Sequence, residues 1–113
     1  MGNPQRLAEE RSLAYHREIA DLLPGRPDVL ETARARVGRW IDSGEIHHLY
    51  ASAWRDLLDR PLEEIRAAIV DVDQRARDLR QVSPFAGALD PRTRWRIHRA
   101  VRDRAANPAR IGR

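Results

Sequence analysis

The positions of proline constrain the fold of this chain more than any other feature, because they fall where helices have to begin or end. Pro4 follows Asn3, and Pro91 follows Asp90. In each pair, a residue that can cap a helix precedes a proline at the first helical position, where the missing N–H is no loss. The segment 24–27, Pro-Gly-Arg-Pro, has to end the first helix, since proline disfavours the helical conformation in the residue before it.

Between these points, apolar residues recur three and four positions apart, as on one buried face of a helix. Trp40 lies on such a face in the second segment, which Gly44 ends, and Trp54 lies on the apolar face of the third. Both Trp residues are therefore expected in the core. No alternation with a period of two is sustained, so strands are not expected. The sequence predicts an all-α, single-domain bundle of about five helices, with approximate bounds 4–23, 29–43, 46–59, 61–81 and 91–105 and a loose tail at 106–113.

Two versions of the fourth helix fit the sequence. In the first version the helix is continuous, because six apolar residues between 62 and 79 form one coiled-coil-like seam that includes Val72. In the second version Asp71 or Asp73 caps a new segment and the helix is broken near residue 72. The single seam favours the continuous helix 61–81, with Pro61 at its first position.

The arginines are distributed unevenly along the chain. All 21 basic residues are Arg, which a coding bias explains, but such a bias does not explain where they are placed. Residues 1–78 hold 12 Arg and 15 acidic residues, a net charge of −3, whereas residues 79–113 hold 9 Arg and 2 acidic residues, a net charge of +7. Charge concentrated at one end predicts a contact with an anionic surface or partner.

The basic end contains one helical segment in which the arginines form an ordered surface. On a helical wheel, Arg92, Arg96 and Arg99 lie on the side opposite the apolar residues, and Trp95 lies close to Arg99 and Arg102. An aromatic ring within a basic stripe suits phosphate pairing combined with base stacking. It equally suits a protein contact, since Trp and Arg are enriched in the residues that dominate protein interfaces.

A third interpretation makes Trp95, His98 and Val101 the buried edge of this helix, with Arg side chains extended around it. Phe85, the only Phe, is expected to plug a Ser-Pro-Phe turn into the bundle, with a partner contact as the alternative. The candidate partner-binding residues are Phe85, Arg92, Trp95, Arg96, Arg99 and Arg102.

Residues that would indicate catalysis or metal binding are missing from the sequence. The chain has no Cys or Lys to act as a nucleophile or thiolate ligand, and it has no Gly-rich phosphate loop. His47 and His48 point about 100° apart on a helix and cannot both meet one ion, while His16 and His98 stand alone. No apolar run approaches the ~20 residues that span a bilayer. We therefore expect a soluble, cytoplasmic, non-enzymatic protein with no metal, cofactor or membrane contact.

Two stretches, LRQVSPFAG at 79–87 and RWRI at 94–97, resemble small uncharacterised helical bacterial proteins that are similar to the non-toxic member of two-gene toxin–antitoxin cassettes. Elsewhere the resemblance extends only to the helix pattern. It implies a non-catalytic antitoxin that binds and neutralises a cognate toxin, with 83–104 as the candidate contact, and it assigns no role to any residue. The alternative is a small DNA- or RNA-binding regulatory protein that uses the same basic helix. No helix-turn-helix motif is recognisable, because a polar recognition helix does not follow the connection at 38–46.

Overall fold

Side-chain caps precede several of the helices in the computed structural model, which describes residues 3–106. The side chain of Asn3 accepts a hydrogen bond from the N–H of Gln5 at 2.8 Å, and that of Asp90 accepts one from the N–H of Thr93 at 2.7 Å. Among the described residues the fold is all-α, as predicted, and contains no strand. Its helices are α1 (Pro4–Leu22), α2 (Pro27–Ser43), α3 (His48–Leu58), α4 (Leu62–Ala68), α5 (Gln74–Gln81) and α6 (Pro91–Ala106), with a 3₁₀ turn at Leu23–Gly25.

The helix predicted at 61–81 is divided into α4 and α5, so the prediction of a continuous helix is wrong and the alternative, a break near residue 72, is right. Asp73 favours the division, since its side chain accepts a hydrogen bond from the N–H of Ala76 at 2.8 Å and caps a new helix. Val72, predicted on the buried seam, is 59% exposed. This division gives six helices in the described residues in place of about five.

The end of α4 is closed by a side chain from the far end of α5. Nη1 of Arg80 donates hydrogen bonds to the carbonyl oxygens of Ile69, at 3.2 Å, and Asp71, at 2.6 Å. Carbonyl groups at the end of a helix have no partner within that helix and need one from outside it. The two bonds therefore tie α5 to the residues that follow α4 and stabilise the break between the helices.

The other predicted bounds agree with the structure to within two residues. α1 ends one residue early because the 3₁₀ turn follows it, and α2 begins at Pro27, two residues early. Gly44 adopts a φ of 73°, which is the left-handed conformation predicted for the end of α2. Ala106, the first residue of the predicted tail, is the last residue of α6, and 107–113 lie outside the described residues.

A single cluster of buried apolar side chains connects α1, α2, α3, α4 and α6. Trp40 is 8% exposed and Trp54 is 1% exposed, so the burial predicted for both is confirmed. The indole N–H of Trp54 donates a hydrogen bond to the carbonyl oxygen of Leu79 at 3.1 Å and thereby joins α3 to α5. α2 packs on α3, while α1 packs on α4, α5 and α6. The first helix is therefore the support on which the last one rests.

Candidate interaction surface on the last helix

The turn that leads into α6 is fastened to α1 and α2 through its backbone carbonyl oxygens. The hydroxyl of Tyr15 donates a hydrogen bond to the carbonyl of Phe85 at 2.7 Å. Nη1 of Arg36 donates to the carbonyls of Pro84 and Ala86, both at 2.8 Å. Three consecutive carbonyls are thus held by two helices, and this fixes the path of the chain towards α6.

Phe85 is a core residue. Its ring is 1% exposed and packs edge-on against Trp54 and His16, with centroids 5.9 Å and 6.2 Å away. The interpretation of Phe85 as the plug of the Ser-Pro-Phe turn therefore fits the structure. The alternative, a partner contact, does not fit, because a ring buried to this extent offers no surface. Phe85 is therefore a core residue and not a contact residue.

His16 completes the anchoring of this turn, a role that the sequence did not reveal. Its Nδ1 lies 2.7 Å from the carbonyl oxygen of Ser12, and its Nε2 lies 2.7 Å from the hydroxyl of Ser83. A carbonyl can only accept, so Nδ1 carries the proton and Nε2 accepts a hydrogen bond from Ser83. The pKa of His16 is lowered to about 4, mainly by burial and to a smaller extent by the charge of Arg80, while the bond to Ser12 acts in the opposite direction. The ring is therefore neutral at pH 7.

α6 rests on α1 through a narrow apolar face. Ile97 and Val101 are its buried residues, at 8% and 0% exposure. Beside this face, Nη2 of Arg96 lies 2.9 Å from Oε1 of Glu18 on α1. The pair is largely exposed and contributes little to stability, and it places Arg96 at the edge of α6 that borders α1.

The side of α6 that faces away from α1 carries four exposed residues spaced three, four and three positions apart. We call Arg92, Trp95, Arg99 and Arg102 the outer stripe. At 1.5 Å of rise per residue, the stripe extends over about 15 Å. Residues 91–106 hold six Arg and one acidic residue, so the stripe lies within a strongly positive surface.

Trp95 is the aromatic member of the outer stripe. It is 55% exposed, so the interpretation that buries it together with His98 and Val101 is wrong for Trp95. The ring stacks on His98, with centroids 5.9 Å apart and an interplanar angle of 17°. Val101 is buried and His98 is half-buried. The helix therefore presents a supported aromatic surface to the solvent between arginines.

Five of the six predicted contact residues lie exposed on α6, and Phe85 does not. Of these five, Arg96 is already paired with Glu18, which leaves the outer stripe as the set that is available to a partner. Arg94 and Arg104, which were not among the predicted residues, are also exposed and add charge on either side of the apolar face.

The histidine pair at the start of α3 has a structural role. The Nδ1 atom of His47 accepts a hydrogen bond from the N–H of Leu49 at 3.2 Å, and its ring stacks on that of His48 with centroids 4.7 Å apart. Within residues 3–106, no group of three or more His, Asp or Glu residues has the arrangement of a metal site.

Comparisons of the whole chain with protein-family models, curated proteins and solved structures find no match. None of the helices between residues 3 and 106 combines the length and the apolar character needed to cross a membrane. The outer stripe therefore has to be interpreted from its own chemistry.

Proposed function

We propose that this chain is a non-catalytic interaction protein whose outer stripe binds an acidic surface of a partner protein. The observation that carries the proposal is the exposure of Trp95 among Arg92, Arg99 and Arg102. Trp and Arg are among the residues most enriched at the positions that dominate binding energy in interfaces. A large apolar ring surrounded by cations suits a partner that offers an apolar pocket with a carboxylate rim.

Preorganisation supports the same proposal. The turn before α6 is tied to α1 and α2 by the bonds from Tyr15 and Arg36 and by the contact between His16 and Ser83. A helix that is already positioned loses little conformational freedom when a partner binds, so more of the contact energy appears as affinity.

The partner that we propose is a cognate toxin, which would make this protein a cytoplasmic antitoxin of a two-gene cassette. The support is the resemblance of 79–87 and 94–97 to such proteins. In this structure the two stretches correspond to the end of α5 with the anchored turn and to the middle of α6. They are the parts of the chain that position and form the proposed contact.

The second candidate function is binding of DNA or RNA by the same stripe. The observation that favours it is the stacked pair of Trp95 and His98, 5.9 Å apart, beside several arginines. Exposed aromatic rings in a positively charged groove are the usual platform for unpaired bases. Such binding would show a strong dependence on salt concentration, because each phosphate contact releases counterions.

A matched pair of triple variants tests the proposed function. Replacing Arg92, Arg99 and Arg102 by Gln should abolish neutralisation of the toxin encoded beside this gene, measured as growth rescue and as affinity for the purified toxin. Folding should be unaffected, because exposed substitutions usually change stability by less than ~0.5 kcal/mol each.

The control replaces Arg39, Arg55 and Arg75, which are exposed on α2, α3 and α5, and removes the same charge. It should keep full neutralisation. Equal losses of neutralisation in both variants would mean that the net charge of the protein, and not the outer stripe, determines toxin binding. Tight, salt-sensitive binding of single-stranded nucleic acid, lost only in the stripe variant, would favour the second candidate instead.

A further inference from the structure

A second charged site lies between the first half of α1 and the end of α5, on a different helix pair from the outer stripe. A cavity of about 370 Å³ opens there, which is within the usual size range of small-molecule sites. Its polar lining residues are Gln5, Glu9, Ser12, Arg77, Arg80 and Gln81. The two guanidinium groups outnumber the single carboxylate, so the lining has a net positive charge.

Arg80 is the unusual member of this lining, because it is a buried cation without a carboxylate partner. Its exposure is 6%, yet no carboxylate of the described residues lies within 4.0 Å of its guanidinium. Buried cations are normally paired with an anion, since burial removes the solvation of the charge. Burial lowers the pKa of Arg80 from its ordinary value, and the like charge of Arg77 lowers it further, while Asp71, Asp73 and Glu9 act in the opposite direction.

The structural role of Arg80 uses only part of its guanidinium. Both hydrogen bonds that it makes to residues 3–106 come from Nη1, to the carbonyls of Ile69 and Asp71. A guanidinium carries five N–H groups, so those on Nε and Nη2 remain for another acceptor. Among the described side chains no buried nitrogen or oxygen lacks a partner, so these two nitrogens have to be accessible. Arg80 is among the residues that line the cavity, so the cavity is the place where we expect these nitrogens to meet an acceptor.

We propose that this cavity binds the oxyanion group of a small molecule, a carboxylate or a phosphate, between the guanidinium groups of Arg77 and Arg80. The planar fork of a guanidinium matches both anions, because two parallel N–H groups meet two oxygens. Ser12, Gln5 and Gln81 also line the cavity, and their hydroxyl and amide groups are able to donate further hydrogen bonds to the anion. Glu9 opposes the anion, so the site favours a low negative charge over a polyanion.

Titrations with two probes test this site. Inorganic phosphate and acetate are added separately to the whole protein, and the Nε–H signals of its arginines are followed by NMR. The signals of Arg77 and Arg80 should shift in a saturable way with at least one probe. Tighter binding of phosphate would identify a phosphate-bearing ligand, and tighter binding of acetate a carboxylate-bearing one.

Three variants establish whether the cavity is responsible. Arg77→Gln, at an exposed position, should weaken the binding about tenfold or more, the usual effect of losing a hydrogen bond to a charged group. Arg75→Gln removes the same charge from the same helix, but Arg75 does not line this cavity, so the affinity should change little. Glu9→Gln should strengthen binding, because it removes the repelling carboxylate.

Absence of saturable shifts at Arg77 and Arg80 with both probes would overturn the proposal. Equal weakening by Arg75→Gln and Arg77→Gln would overturn it as well, since the response would then reflect net charge. An unchanged or weaker affinity in Glu9→Gln would show that the anion does not lie in this cavity. The combination of weakening in Arg77→Gln, strengthening in Glu9→Gln and no effect of Arg75→Gln would support the proposed site.

Discussion

Acidification is expected to destabilise this protein through His16. The ring is 2% exposed, and burial lowers its pKa from 6.5 to about 4. The folded protein therefore favours the neutral ring, whereas the unfolded chain takes up a proton as the pH falls through 6.5. The stabilisation is fully present above pH 6.5 and is lost progressively between 6.5 and about 4. At about 1.36 kcal/mol per pKa unit, the loss reaches ~3 kcal/mol.

This loss is large because burial and most neighbours of the ring disfavour its protonated form, and the hydrogen bond to the Ser12 carbonyl offsets only part of their effect. Protonation places a hydrogen on Nε2, where the hydroxyl of Ser83 now donates, so that hydrogen bond would have to be rearranged. Arg80 is the charged group whose field acts on the ring, and it repels a second cation. The aromatic rings of Tyr15 and Phe85 pack against the imidazole and exclude water. About 3 kcal/mol is a considerable share of the ~5–15 kcal/mol that stabilises an ordinary domain.

Urea unfolding at a series of pH values between 7 and about 4 measures this loss directly. His16→Gln removes the titrating group but keeps a side chain that can form hydrogen bonds, so its free energy of unfolding should depend much less on pH across this window. His48→Gln is the matched control, because His48 is exposed, and it should keep the pH dependence of the wild type. Hydrogen bonds lower the pKa of the Asp28 and Asp90 carboxyls, so their contribution to stability is lost only at the acidic end of this window and below it, in all three proteins alike.

A parallel loss of stability in the wild type and in His16→Gln between pH 6.5 and about 4 would refute this prediction. Such a result would mean that the ring accepts a proton in the folded protein, and that the bonds to Ser12 and Ser83 do not hold it neutral. A flat profile for both proteins would lead to the same conclusion.

Two further predictions concern folding. Trp54→Ala should lower the free energy of unfolding by ~3–5 kcal/mol in urea, because the side chain is 1% exposed and fills the core, whereas Trp95→Ala should leave it nearly unchanged; similar losses in both variants would contradict the placement of the two rings. Asp73→Ala should cost about 1 kcal/mol by removing the cap of α5, and Asp42→Ala, at an exposed position of α2, should cost little. A melting temperature of Asp73→Ala equal to that of Asp42→Ala would argue against the break between α4 and α5.

Local signals in the sequence were enough to predict most of the helices. Asn3 and Asp90 cap α1 and α6 because their side chains reach an N–H two or three residues away, an interaction contained within the segment itself. The break at Val72 was harder to predict, because the apolar spacing continues through it. The helix breaks because the cap at Asp73 outweighs the continuation of the apolar seam. Arg80, from the far end of α5, supports the break by binding the carbonyl of Asp71. The contact of Arg80 depends on tertiary packing, so it cannot be recognised from the spacing of residues in the sequence.

The candidate site also has one part that could be predicted from the sequence and one part that could not. The outer stripe was predictable, because positions 92, 95, 99 and 102 fall on one side of any helix whose buried side carries Ile97 and Val101. The anchoring of Phe85 was not, since its carbonyl is bound by Tyr15, 70 residues away in the sequence. His16 gave one usable signal that sequence reasoning missed: it follows Ser12 by four positions and precedes Ile19 by three, so it belongs to the inner side of α1.

The contacts that position α6 are separate from the surface that it presents. Its apolar attachment rests on Ile97 and Val101, each able to contribute roughly 1.5–3 kcal/mol on burial. Its direction is set by the turn at 83–87, where Tyr15, Arg36 and His16 hold the chain. None of these groups belongs to the outer stripe. Sequence changes at the outer stripe can therefore alter the choice of partner at little cost to folding. Changes at the turn would instead displace the whole stripe, although the turn itself is not part of the proposed contact.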